Sequence, residues 1–80
     1  MKLHIVSATK SQNYNVNWLE INTEQGNFVI QNGHAPMIVE LKNDSTISFN
    51  VELGNTMNLK IKNGIAEIGR SHTMILITHE

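Results

Sequence analysis

Hydrophobic and polar residues alternate with a period of two along most of the chain. Residues 47–53 place Ile, Phe, Val and Leu at every second position, and residues 57–62 repeat the alternation with Met, Leu and Ile. Gly54-Asn55 lies between them, where a tight turn needs residues that accept a positive φ. Such alternation is typical of strands with one face in the core and the other in water. The pattern therefore predicts a β-hairpin over residues 47–62.

Further short apolar segments, each long enough for one strand, occur over the rest of the chain. They are residues 3–7, 18–21, 28–30, 37–41, 65–68 and 73–78. Polar or glycine-containing segments predict loops and turns between them, at residues 10–13, 42–45, 63–64 and 69–72. Residues 73–78 are apolar at successive positions, which predicts a central strand covered on both faces. No helical period is present. The sequence therefore predicts an all-β fold, a small β-sandwich or flattened barrel of roughly eight to ten mostly antiparallel strands.

The composition indicates one globular domain over residues 1–80. Hydrophobic residues make up 40% of the chain and charged residues 16%, which is not the composition of a disordered protein. Cysteine is absent, so packing or a partner must supply the stability that disulfides give other small domains. A net charge of −1 with Arg70 as the only arginine disfavours nucleic-acid binding. No apolar run could span a bilayer and residues 1–4 do not open a signal peptide, so we expect a soluble, cytoplasmic protein.

Residue types that could carry chemistry are present but scattered. His4, His34, His72 and His79 lack the close spacing of zinc ligands, and no cysteine joins them. No serine lies in a nucleophile elbow, and no glycine-rich phosphate loop occurs. The carboxylates are spread over solvent-facing strand positions. The sequence therefore predicts no catalytic residue, no metal and no cofactor. Trp18 is expected to fill the core, with an interface anchor as the alternative.

Residues 26–36 carry the most specific local pattern in the chain. Gly33 suits a turn that requires a positive φ. Pro36 fixes its own φ, removes a backbone donor and holds Ala35 extended. We therefore expect a strand that bends into a stiff, exposed loop from which His34 projects, a location where recognition residues are common. The alternative is that His34 only hydrogen-bonds its own turn.

Four segments, in order along the chain, resemble the epsilon subunit of F-type ATP synthases. Residues 26–37 resemble that family's Gly-Glu-Leu-Gly-Ile-x-Pro-Gly-His-Ala-Pro-Leu segment, and residues 3–8 resemble its first strand, Leu-x-Val-Val-Ser-Pro/Ala. Residues 63–68 are similar to its Gly-Gly-x-x-Glu-Val segment, and residues 73–77 to the Val-x-Val-Leu-Ala strand that closes its sandwich. Together these matches cover essentially the whole chain.

The resemblance implies a non-catalytic subunit of the central stalk, coupling the gamma subunit to the membrane c-ring during ATP synthesis and ion transport. The residues it implies at the c-ring are Asn27, Gln31, Gly33, His34 and Pro36. The first strand and its following loop are expected to face gamma. The resemblance also implies a peripheral location on the cytoplasmic face of the inner, or another energy-transducing, membrane. Neither nucleic acid nor a small-molecule ligand is expected.

The sequence also departs from this family. Val29 stands where the family has its second glycine, and Thr78-His79 stand where it has Ala-Asp after the last strand. Asn27 stands where the family has an acidic residue, and Asn32 where it has a proline. The family continues into a C-terminal helical hairpin that has no counterpart before Glu80, which implies either a natural short form or an isolated N-terminal domain. Two other classes of function stay open at this point. One is a free-standing β-sandwich module that binds a ligand or peptide, and the other is a small hydrolase or metal enzyme.

Overall fold

The computed structural model describes residues 1–79, the last of them by its backbone alone, and these residues form eight strands and no helix. The strands are β1 (Lys2–Val6), β2 (Ser11–Thr23), β3 (Gly26–Ile30), β4 (Met37–Glu40), β5 (Ser45–Val51), β6 (Thr56–Ile61), β7 (Asn63–Ile68) and β8 (His72–His79). The predicted hairpin over residues 47–62 is confirmed as β5 and β6.

The strands form two layers that share β2. The first layer has the order β4-β7-β8-β1-β2, and the second has the order β3-β2-β5-β6. Strand β2 serves both, because residues 11–15 pair with β1 and residues 19–23 pair with β3. Its register against β5 shifts between Val16 and Trp18, where the strand passes from one layer to the other. Among the described strands only β1 and β8 pair in parallel, so the predicted all-β fold of mostly antiparallel strands is confirmed.

The core lies between the two layers, where every second side chain of each strand points inward. Phe49 is the largest fully buried side chain, and its ring lies against the ring of Tyr14 with 4.9 Å between centroids. The other buried apolar residues are Leu3, Ile5, Val16, Leu19, Ile21, Ile30, Leu41, Ile47, Ile61, Ala66, Ile68 and Ile75. Burial of this set is the main source of stability in a chain without disulfides.

One prediction for β8 is confirmed and the other is wrong. The strand is central, between β7 and β1. It is not covered on both faces, because Leu76 is 41% exposed and pairs with Ile65, which is 39% exposed. The reason is that only one layer packs against this sheet among the residues described. The apolar side chains of its outer face therefore remain accessible.

Two predicted turns lie elsewhere in the structure. Residues 11–13 belong to β2, and the turn before them spans residues 7–10, where the Ser7 N–H donates to the Lys10 carbonyl at 2.8 Å. Residues 63–64 belong to β7, and the chain bends at Lys62 as it passes from the second layer to the first. The hairpin between β5 and β6 also differs in detail. Its positive φ of 59° belongs to Leu53, which points into solvent instead of continuing the buried face of β5.

Gly64 lies at a closely packed position in β7. A Cβ at this position would lie 3.1 Å from the Leu76 carbonyl oxygen and 3.2 Å from Leu41 Cδ1. Both distances are tighter than ordinary contact, and the first atom belongs to a paired backbone. The glycine therefore permits the approach of β7 to β8 and to the buried Leu41 side chain.

Gly64→Ala is expected to lower the free energy of unfolding by about 1–3 kcal/mol, the usual cost of overpacking. Urea denaturation measures the change. Gly54→Ala is the matched control, because a Cβ there would meet its nearest atoms, on Val51, at an ordinary 3.6 Å. The control should be neutral or stabilising, since alanine reduces the freedom of the unfolded chain. Equal effects in the two variants would contradict the packing role of Gly64.

Candidate partner-binding surface

Residues 31–36 form the loop that connects β3 in the second layer to β4 in the first. Gly33 has a φ of 88°, so the positive φ predicted for it is confirmed. A Cβ there would meet nothing within 4 Å. Glycine is therefore favoured by the backbone conformation and not by crowding. The predicted strand bent into an exposed loop is observed over residues 26–36.

Two backbone hydrogen bonds hold this loop in place. The Gly33 N–H donates to the Arg70 carbonyl, in the turn between β7 and β8. The His34 N–H donates to the Gln31 carbonyl at 3.1 Å, which closes the turn locally. Pro36 then restricts the chain where β4 begins. The loop is thus fixed to both layers of the domain and to a neighbouring turn.

His34 is half-buried and contacts its own turn. Its Nδ1 lies 2.8 Å from the Ala35 carbonyl oxygen. Because a carbonyl oxygen only accepts hydrogen bonds, this contact requires a proton on Nδ1 and leaves Nε2 as the second ring nitrogen. Both interpretations of His34 are therefore compatible with the geometry. The residue bonds its own loop through one nitrogen and retains a second for a partner.

Asn27 lies near the start of β3 beside the β2–β3 turn, opposite Asn22 of β2. Its side-chain amide donates to Glu20 Oε2 at 3.2 Å and to Asn22 Oδ1 at 3.0 Å. The turn is closed by Thr23, whose hydroxyl donates to the Gly26 carbonyl at 3.0 Å. Asn27 is exposed, but its amide belongs to a network on the outer face of the second layer.

The structure divides the five predicted contact residues into two groups. Gln31, Gly33, His34 and Pro36 share one loop, and all but the half-buried His34 are exposed. Asn27 lies at the other end of β3. At the rise of an extended strand, four residues separate Asn27 from Gln31 by about 14 Å. The five residues therefore form two patches at opposite ends of one strand.

Arg70 joins the loop patch in space, which the sequence alone did not indicate. Arg70 is exposed and lies in the Gly69-Arg70-Ser71 turn. Its backbone carbonyl accepts the hydrogen bond from the Gly33 N–H. The segment was predicted as a turn, and Arg70 is the only arginine of the chain. Because Arg70 and Gly33 are more than thirty residues apart in the sequence, their contact could not be predicted from it. The backbone of an exposed arginine thus contacts the loop.

Trp18 is not part of the core, so the prediction that it fills the core is wrong. It is half-buried and pairs with Asn50 on the outer face of the second layer, next to the buried Leu19. The register shift in β2 lies immediately before it, and the strand's alternation then points Leu19 inward and Trp18 outward. The role of Trp18 as an interface anchor stays a prediction.

The described residues do not form the metal site considered in the sequence analysis. Among them, no group of three or more His, Asp or Glu side chains could hold a metal ion. Within the same residues, there is also no helix of the length and apolarity needed to cross a membrane.

Comparison with known protein families shows to which family the chain belongs. Residues 1–79 match the family described as ATP synthase, Delta/Epsilon chain, beta-sandwich domain. The chain belongs to this family. No curated protein matches its sequence. The family resemblance stated from four sequence segments is thereby confirmed over the described chain.

Solved structures share the delta/epsilon fold at low sequence identity. A chain of the Euglena gracilis mitochondrial ATP synthase, in an OSCP/F1/c-ring structure, superposes with a TM-score of 0.86 at 18% identity, covering 96% of this chain and 49% of that one. A chain of the Tetrahymena thermophila mitochondrial ATP synthase central stalk/c-ring superposes with a TM-score of 0.81 at 15% identity, covering 98% and 63%. The chain thus spans about half of the first and under two thirds of the second.

Proposed function

We propose that this chain is a non-catalytic subunit of the central stalk of an F-type ATP synthase, placed between the gamma subunit and the c-ring. The observation that carries the proposal is the delta/epsilon family match over residues 1–79. The fold adds support, because both similar solved chains come from ATP synthase structures that include the c-ring. In this role the protein is peripheral to an energy-transducing membrane, on its cytoplasmic face.

The physical properties of the domain suit a rotor part. A stalk subunit must transmit torque without deforming, which requires rigid elements at its contacts. The loop of residues 31–36 is held by the Gly33–Arg70 hydrogen bond and by strands of both layers. We propose that this loop contacts the c-ring through Gln31, His34 and Pro36. The loop contains no Asp, Glu, Lys or Arg, so we propose that its contact relies on shape and on hydrogen bonds.

Asn27 is a second proposed contact, at the other end of β3. An acidic residue in its place would add a charge, whereas the amide donates to Glu20 and Asn22 within the domain. A strong ion pair between Asn27 and the ring is therefore excluded by its chemistry. For the gamma subunit we propose β1 and the turn of residues 7–10, where Ala8 and Lys10 are exposed.

Co-purification from native membranes tests the proposed role. An affinity-tagged full chain, recovered from mildly solubilised membranes of its own host, should bring gamma and c subunits with it, identified by mass spectrometry. The tag alone, expressed at the same level, is the control. Recovery of the chain as a monomer free of gamma and c subunits would contradict the stalk role. That result would favour the free-standing binding module instead.

A further inference from the structure

A cleft opens at one side of the sandwich, between the free edge of β6 and the first layer. It has a volume of about 220 Å³. Its apolar walls come from both layers and are Ile5, Leu59, Ile61 and Ile77. Ile5 and Ile61 are buried, and the other two are half-buried. The cleft therefore extends from the surface as far as two residues of the core.

The polar part of the cleft lining carries positive charge only. Lys10 borders the cleft from the β1–β2 turn, and Lys60 borders it from the edge strand. Ser7 and Gln12 add a hydroxyl and an amide. No carboxylate of the described residues lines the cleft. Lysine side chains lie along apolar surface with their ammonium groups in water, which suits a border between an apolar wall and solvent.

We propose that this cleft binds the hydrocarbon chain of a free fatty acid, with the carboxylate beside Lys10 and Lys60. Charge complementarity selects an anion, because the polar lining consists of two lysines together with Ser7 and Gln12, which can donate hydrogen bonds. The apolar walls select a hydrocarbon tail over a compact ion such as sulfate. This inference goes beyond the stalk role and concerns the chain free of gamma, because Ser7 and Lys10 also belong to the turn proposed to contact gamma.

The size of the cleft selects a single short chain. Sites for drug-sized ligands usually enclose about 300–1,000 Å³, and this cleft is smaller, at about 220 Å³. A two-chain membrane lipid would leave most of its apolar surface in water. Medium-chain fatty acids are therefore the class that fits. We expect a dissociation constant of about the millimolar range, as is usual for a small ligand with one charged contact region.

Titration of the full chain with octanoate, followed by NMR of the methyl groups, tests this site. Octanoate should shift the methyl signals of Ile5, Leu59, Ile61 and Ile77 in a saturable manner. Butanoate should bind several-fold more weakly because it covers less of the apolar wall. Octylammonium, with the same tail and the opposite charge, should produce no saturable shift there.

A matched pair of double variants tests the charged part of the lining. Lys10→Gln combined with Lys60→Gln should weaken octanoate binding about fivefold to tenfold, as expected for losing two solvent-exposed charge contacts. Lys2→Gln combined with Lys42→Gln makes the same change in net charge away from the cleft and should leave binding unchanged. Both pairs involve exposed side chains, so folding is preserved.

Three results would overturn the proposal. The first is equal binding of octanoate and octylammonium. The second is a set of shifts at the outer apolar face, at Ile38 and Leu76, in place of the cleft. The third is preferential binding to vesicles of anionic phospholipid with no effect of free octanoate, which would identify a membrane surface as the ligand.

Discussion

Phe49→Ala is expected to lower the free energy of unfolding by about 3–5 kcal/mol, the range for truncating a buried aromatic ring. Phe49 is 1% exposed and is the largest fully buried side chain. Its removal leaves a cavity between the layers and deprives Tyr14 of its ring contact at 4.9 Å. A domain of this size has a total stability of about 4–12 kcal/mol. The expected loss is therefore a large fraction of the total stability of the domain.

Urea denaturation followed by circular dichroism measures this change. Leu53→Ala is the control, because Leu53 is also a large apolar residue of the β5–β6 hairpin but is fully exposed. It should change the free energy of unfolding by no more than about 0.5 kcal/mol. Trp18→Ala should fall between the two, since that side chain is half-buried outside the core. If Trp18→Ala lowered the free energy of unfolding as much as Phe49→Ala does, Trp18 would belong to the core, in contradiction to the structure.

The strands that the sequence predicted well are those with one buried and one wet face. In β5 the side chains of Ile47 and Phe49 are buried and those between them are not, so the period of two is visible. Residues 11–13 are exposed on both faces although they pair with β1, and this removes the alternation that would have identified a strand. A strand segment that pairs through its backbone but buries neither face shows almost no hydrophobic pattern in the sequence.

Turns were predicted less accurately than these strands, because one residue type can serve two structural purposes. Gly64 suits a turn by its flexibility, but the structure uses it for its lack of a side chain beside the Leu76 carbonyl. Leu53 continues the period of two past the end of β5, yet it occupies the turn with a positive φ. Distinguishing these cases requires knowing what lies across the strand pair. That information is not local.

The candidate site was predicted as one segment and is observed as two patches. The sequence identified Gly33 and Pro36 correctly as the residues that shape the loop, since both act on their own backbone. It could not tell that β3 places Asn27 at the far end from His34. Nor could it place Arg70 beside Gly33, because that contact depends on the order of strands in the first layer.

Gln31→Ala combined with His34→Ala is expected to reduce retention of the chain on ATP synthase membranes about tenfold. Truncating two side chains at the proposed c-ring contact removes the hydrogen bonds on which this contact relies, and a tenfold loss corresponds to about 1.4 kcal/mol. The domain should stay folded, because Gln31 is exposed and His34 bonds only its own turn. Washed membranes analysed by immunoblotting, together with ATP-driven ion pumping, measure the effect.

Asn27→Ala distinguishes the two patches, and Asn58→Ala controls for the loss of a surface amide. Asn27 already donates to Glu20 and Asn22, so its truncation should reduce retention less than the loop variant does. Asn58 accepts a hydrogen bond from Ser48 at 2.6 Å on the outer face of β5 and β6, away from both patches, and its variant should behave as the wild type. A larger loss for Asn27→Ala than for the loop variant would move the proposed contact to the opposite end of β3. Unchanged retention and pumping in both variants would exclude residues 26–36 as a c-ring contact, and would leave the family assignment untouched because that depends on the whole chain.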